Sequence, residues 1–223
     1  MSIKIALDFL KKLEKNNNRE WFADNKAEYE QALKEVKTAS NAIYKQMQAH
    51  DAFEKMKLFR IYRDVRFSKN KQPYKNNFGV AFHRTKPKLR GGYYLQIQPD
   101  NNFIATGFWN PDKEDLLRIR KELEVDASDI RDIINDNALK SVWGDLVGEE
   151  LKTAPKGFDK EHAAIDLIRH KQFIFVKKLT NKEVMAPDFA ETVSANFKTI
   201  RPFFNYMSAI LTTDLNGVST IKD

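Results

Sequence analysis

The sequence predicts an α+β fold: an antiparallel sheet of about five strands packed against several helices, with a long N-terminal helix and a C-terminal helix. Two observations lead to this prediction. Apolar residues recur at helical spacing near both ends of the chain, whereas short alternating runs separated by turn residues fill the region between residues 58 and 109. The order helices, strands, helices, strand, helix favours an antiparallel sheet. With 223 residues and no repeat or long linker, we expect one domain over residues 1–223.

The N-terminal region predicts two helices, separated by three consecutive asparagines at 16–18. Residues 5–13 form a short amphipathic pattern. Asn18 is suited to cap the long helix that follows, whose apolar positions continue to about Gln48. Asp24 marks an expected break in that helix, because its side chain can cap a second helix start.

Five segments predict strands. The first, residues 58–67, alternates so that Arg63 shares one side with four apolar side chains. PDNN at 99–102 predicts a hairpin turn between two later strands. The four later strands are FGVAF, YYLQIQ, FIATGFW and QFIFVKKL.

Helix signals resume after the fourth strand. Asn110 with Pro111 predicts a capped helix start, and shorter helices are expected between residues 126 and 170. Asp188 with Glu191 resembles a capping box at the start of a closing helix, which Pro202 is expected to kink. The tryptophans, Trp109 among them, are expected in the core.

Composition excludes several classes of protein. There is no cysteine, so thiol catalysis, disulfides and cysteine-bound metals are excluded, and a reducing, cytoplasmic location is favoured. No apolar run has the roughly 20 residues of a membrane span, and the first residues lack the apolar centre of a signal peptide. No nucleotide-loop glycine motif and no paired histidines occur, so we expect no cofactor and no metal. The oligomeric state is not defined by the sequence.

Positive charge is concentrated in one segment. Residues 57–90 contain eleven Lys or Arg and one acid, a net charge of +10, whereas the other 189 residues together carry −3. Within the segment, Asp64 shares a strand face with Arg60 and Arg66, and it is placed to orient an arginine by bidentate hydrogen bonds. Lys71 and Lys75 follow on an asparagine-rich loop that can present amines to a phosphate. An arginine on an apolar strand face, as expected for Arg63, needs a buried partner or a bound anion.

Two stretches, NNNREWFADNKAEYE and YRDVRFSKNKQPYKNNFGVAF, resemble the bacterial and fungal family known as domain of unknown function 2461. GFWNP and IDLIRHKQF add to the resemblance, which covers roughly residues 7–211. The family has no assigned activity, so the resemblance implies no reaction. It directs attention to both marked segments, and we expect them to meet in one polar pocket. The predicted ligand-binding residues are Arg19, Glu20, Arg63, Asp64, Arg66, Lys71, Tyr74 and Lys75.

The leading hypothesis is a site for a phosphate-bearing small molecule or another anion at this pocket. A second interpretation is binding of nucleic acid, which requires a continuous basic surface reaching Arg84, Lys86, Lys88 and Arg90. A third is a phosphate-ester-processing enzyme in which Asp64 or Glu20 acts as general base. A fourth is a purely structural ion-pair network in which Arg63, Asp64 and Arg66 satisfy one another.

Overall fold

A computed structural model describes residues 3–221. This part of the chain contains ten helices and one five-stranded antiparallel sheet, which confirms the predicted α+β class. The elements are α1 (Ile3–Lys15), α2 (Arg19–Asp24), α3 (Lys26–Met47), β1 (Phe53–Leu58), β2 (Phe78–Arg84), β3 (Gly92–Ile97), β4 (Asn102–Phe108), α4 (Lys113–Val125), α5 (Ser128–Asn135), α6 (Asn137–Trp143), α7 (Ile165–Ile168), β5 (Phe173–Leu179), α8 (Asn181–Val184), α9 (Phe189–Thr199) and α10 (Arg201–Thr212).

The sheet has the order β1-β2-β3-β4-β5, with every neighbouring pair antiparallel. The first four strands are a meander. The fifth joins β4 only after residues 109–172, which carry α4 to α7. The four later strands lie where the sequence predicts them.

The helices cover one face of the sheet, where large aromatic residues form the core. Phe82 of β2 and Tyr93 of β3 both pack against Phe197 of α9, with ring centroids 6.3 and 4.8 Å apart. Phe204 of α10 meets Tyr93 at 5.0 Å in an edge-on arrangement. Burial of each such ring is worth about 2–3 kcal/mol, so this layer holds the helices onto the sheet.

The break in the long N-terminal helix is confirmed and lies one residue beyond Asp24. Asn18 caps α2 by accepting a hydrogen bond from the Trp21 N–H at 2.9 Å. At the break, the side-chain amide of Asn25 donates a hydrogen bond to the Trp21 carbonyl at 2.8 Å. Asn25 is both the last cap of α2 and the residue before α3. The chain therefore turns at Asn25 while the Trp21 carbonyl keeps a hydrogen-bond partner.

The closing helix is divided into α9 and α10, and Pro202 lies in the first turn of α10, where its missing N–H costs nothing. Three cap predictions were wrong. α3 is preceded by Asn25 and has no side-chain cap, so Asp24 does not cap it. Asp188 makes no side-chain cap, and the capping box is formed by Thr180 with Glu183. Likewise α4 is capped by Asp112 rather than Asn110, because the helix begins only at Lys113.

The prediction of a strand over residues 58–67 was wrong. β1 ends at Leu58, which pairs with Val80, and Phe59 still donates its N–H to the Gly79 carbonyl at 2.9 Å. β2 begins at Phe78, so the chain that follows runs past the start of β2 and has no strand of the sheet beside it. Residues 59–77 instead form an excursion, the basic loop. A single bridge between Tyr62 and Tyr74 closes its base.

Candidate functional site

The face of the sheet opposite the helices is the candidate site and is called here the open face. Side chains alternate along strands, so the neighbours of the core residues in β1 to β4 point this way. Most of them are partly or fully exposed. The open face consists of Lys55, Lys57, Phe59, Gly79, Ala81, His83, Gly92, Tyr94, Gln96, Phe103, Ala105 and Gly107.

A cleft of about 650 Å³ lies on this face. Its floor includes the small residues Ala81, Gly92, Ala105 and Gly107, so side chains take up little volume there. The remaining lining comes from the turn at 86–91 and from the segment 108–115 that leads into α4. A volume of this size matches the sites that hold small molecules.

Aromatic rings line the cleft. Tyr94 and Phe103 lie side by side with ring centroids 5.8 Å apart. Trp109 is 50% exposed, so its expected place in the core was wrong. Rings held in this way offer flat apolar surfaces to a planar ligand.

Of the two basic side chains that line the cleft, one is paired with a carboxylate and the other has no such partner in the described part of the chain. Arg90 forms an ion pair with Asp115, and Asp112 accepts the Asp115 N–H at 2.8 Å as the cap of α4. Lys86 is exposed at the cleft and forms no hydrogen bond or ion pair within residues 3–221. Lys86 is therefore the cation available to an incoming anion.

His83 stands on the cleft floor beside Ala81. Its Nε2 is shielded from solvent and has no hydrogen-bond partner among the described residues. Burial, followed by the charge of Lys55, lowers the pKa of His83, so the imidazole is neutral at pH 7. A neutral imidazole can donate or accept one hydrogen bond per nitrogen, but Nε2 is covered by protein atoms, so a ligand in the cleft does not reach it unless the side chain moves.

Asp115 has the opposite shift. Burial raises the pKa of this carboxyl, and the Arg90 charge offsets only part of the increase. Asp115 is paired with Arg90, and structural ion pairs shift pKa values as well, so this shift by itself does not mark a catalytic group. No group of three or more His, Asp or Glu in the described chain could hold a metal ion.

A buried ionic network supports the wall of the cleft. Asp51 lies between Arg84 and Arg201; its Oδ2 accepts from Arg84 Nε at 2.8 Å and from the Tyr93 hydroxyl at 2.5 Å. Arg84 also donates to the carbonyl of Arg90. The turn at 86–91 is thereby fixed to the core through its last residues.

Burial raises the pKa of Asp51, but the hydrogen bonds from Arg201 and Tyr93 and the charge of Arg84 together outweigh it, so the pKa lies below its usual value. Sequence analysis missed this network. The signal was present: Arg84 follows Phe78, Val80 and Phe82 at every second position, so it occupies a core position of β2.

Comparison with known proteins places the chain in a family. The profile of a family described as conserved hypothetical protein (DUF2461) matches residues 5–206. The chain belongs to this family. No curated protein and no solved structure matches this DUF2461 protein.

The two marked segments of the DUF2461 protein do meet, but through aromatic and amide groups. Phe22 of α2 stacks on Tyr74 with centroids 3.9 Å apart and 12° between planes. Asn17 donates to the Tyr74 carbonyl at 3.0 Å and accepts from its N–H at 3.1 Å. Tyr74 is therefore a buried anchor for the base of the basic loop.

Of the predicted ligand residues, Asp64 and Arg66 form a bidentate pair, at 3.0 and 2.6 Å, on the exposed surface, so Arg66 is the arginine that Asp64 orients. Arg63 does not lie on a strand, because the strand is absent there; its N–H bonds the Pro73 carbonyl at 2.8 Å. Lys71 donates to the Val65 carbonyl at 3.2 Å within the loop. A purely structural network would require this pair to be closed off from solvent, but both side chains are exposed.

Arg19 and Glu20 are exposed on α2. Across residues 3–221, neither forms a hydrogen bond or ion pair with Arg63, Asp64 or Arg66. The two carboxylates predicted as general bases, Glu20 and Asp64, do not line the cleft.

Among the predicted ligand residues, Lys75 lines a depression at the open face, with its ammonium 5.7 Å from the centre of the Phe59 ring. The continuous basic surface is also interrupted. Arg84 is buried and Arg90 is paired, so neither is free for a polymer. In residues 3–221, no helix has the length and apolar character needed to cross a membrane.

Proposed function

We propose that the cleft binds an aromatic phosphate ester, a ligand of the nucleotide class. The observation that carries the proposal is the convergence of aromatic rings and a free lysine over a floor of small residues. The aromatic rings would contact the planar part of such a ligand, and Lys86 would bind its phosphate. The lack of cysteine favours a cytoplasmic location, where such ligands are abundant.

The geometry separates the two ends of the ligand. Tyr94 and Phe103 line the cleft from β3 and β4, and Lys86 lines it from the turn beyond β2. A planar ring resting on the strands would direct its phosphate toward that turn. Arg90 keeps its pairing with Asp115 and shapes the wall rather than binding the phosphate.

Calorimetric titration with a nucleoside monophosphate, the matching nucleoside and inorganic phosphate tests the proposal. We expect the monophosphate to bind more tightly than either part, because both halves of the cleft contribute. Lys86→Gln should weaken binding of the monophosphate about tenfold, the value of one charge-assisted hydrogen bond, and leave the nucleoside unaffected.

Lys88→Gln is the matched control. Lys88 is an exposed lysine of the same turn that does not line the cleft. Equal losses in both lysine variants would show general charge attraction instead of a site. A protein that binds none of the three compounds would overturn the proposal.

A further inference from the structure

A second depression lies on the open face beside the cleft. It has a volume of about 210 Å³ and is lined by Phe59, Arg60, Lys75, Asn77, Gly79 and Tyr94. Tyr94 lines both the depression and the cleft, so the two share one wall. A ligand longer than the cleft can therefore continue over Tyr94 into the depression.

Three aromatic side chains form a row that crosses the sheet through both sites. The Phe59 and Tyr94 rings have centroids 6.4 Å apart, and Tyr94 and Phe103 are separated by 5.8 Å. The row passes over β2 at Gly79, where an added Cβ would lie 2.4 Å from the Tyr94 hydroxyl. The glycine thus lets the tyrosine lie across the strand instead of standing away from it.

Cations accompany the row at its β1 end. The ammonium groups of Lys57 and Lys75 lie 5.1 and 5.7 Å from the centre of the Phe59 ring. Neither lysine forms an ion pair within the described part of the chain, and Arg60 lines the same depression without one. Repeated aromatic rings with cations beside them match a polymer in which flat bases alternate with phosphates.

We infer that the open face binds single-stranded nucleic acid, with one nucleotide in the cleft and the next ones over Tyr94 and Phe59. The inference rests on the proposed function, because the cleft provides the first nucleotide position. A single strand is required, because bases can reach the rings only when they are not paired and stacked in a duplex. The rings lie along depressions, which fits bases laid on a sheet and not insertion into a lipid surface.

Fluorescence anisotropy with labelled oligonucleotides of one, two, four and eight residues, as both RNA and DNA, tests the inference. We expect affinity to rise steeply from one to four residues and then level off, because the row has three rings. The slope of log affinity against log salt should steepen by about 0.7 for each added phosphate contact. A duplex of the same sequence should bind much more weakly.

Two variants, each compared with a matched control, test where the oligonucleotide binds. Phe59→Ala should weaken the four-residue oligonucleotide about tenfold or more, as loss of one stacking platform does, and leave the mononucleotide unchanged. Phe67→Ala is the matched control, since Phe67 is a phenylalanine of the same basic loop, 95% exposed and outside the row. Lys75→Gln, compared with Lys69→Gln, should reduce the salt slope by about 0.7 without affecting the fold.

The outcomes separate this inference from the proposed function. Mononucleotide binding that does not strengthen with length would overturn the inference and leave the cleft function intact. Binding of neither monomer nor oligomer would overturn both. Equal losses for Phe59→Ala and Phe67→Ala, or equal affinity for the duplex, would show that nucleic acid binds by general attraction to the basic loop, contrary to the inference.

Discussion

Replacement of Asp51 by asparagine is expected to destabilise the protein strongly. The substitution keeps the size of the side chain but removes the charge that faces Arg84 and Arg201. The side chains of Asp51 and Arg84 are fully buried, so water cannot replace the lost interaction. Removal of one partner from a buried ion pair costs about 3–5 kcal/mol.

For a chain of this length, each kcal/mol lowers the melting temperature by about 2–4 °C, so Asp51→Asn should lower it by about 6–20 °C. Urea unfolding should show a lower midpoint with an unchanged slope. Asp64→Asn is the control, because Asp64 and Arg66 pair on the exposed surface, where solvent screens the interaction and its loss has little effect on stability. Comparable small losses in both variants would refute the assignment of Asp51 as a central buried anion.

The same variant has a pH signature. The folded pKa of Asp51 is lowered, so its contribution to stability is fully present above the unfolded pKa near 3.8 and disappears as the pH falls through the lower folded value. The difference in unfolding free energy between native protein and Asp51→Asn should therefore be constant above about pH 5 and shrink only in stronger acid. A difference that shrinks already between pH 8 and 6 would contradict this account.

Gly107→Ala should cost about 2–4 kcal/mol in urea unfolding, because φ is +127° and the new Cβ would lie 2.1 Å from the Phe173 carbonyl oxygen. Gly157→Ala, at φ +88° with no atom within 4 Å, should lose only about 1–2 kcal/mol, and equal losses would rule out the steric argument. Stability should also fall as the pH drops through 6.5. Burial lowers the folded pKa of His50 and His170, so the unfolded imidazoles take up protons first. A urea midpoint unchanged between pH 7.5 and 5.5 would contradict this.

Periodicity was a sound guide wherever a segment had a packing partner. The alternating runs that became β2 to β5 each lie beside another strand, and the helical stripe of α9 and α10 faces the sheet. Residues 58–67 alternate equally well, but pairing depends on what lies alongside. β2 begins at Phe78, and nothing in the alternating run itself reveals that limit.

The site was harder to predict than the fold. Counting charges identified the basic loop correctly as a concentration of cations, and Asp64 does orient an arginine, Arg66. The cleft, in contrast, exists mainly because small residues on three strands lie next to one another and leave space that larger side chains would fill. Glycine and alanine have many uses, so only the register of β2, β3 and β4 shows that these residues lie together.

The separation of β5 from the other strands has a consequence for synthesis on the ribosome. The first four strands can pair as soon as they emerge, since each hairpin is local in sequence. β4 must then wait for residues 109–172 to be translated before β5 covers its free edge. At about 5–20 residues per second, that edge stays unpaired for about 3–13 seconds, so the nascent chain is most prone to aggregate in this interval.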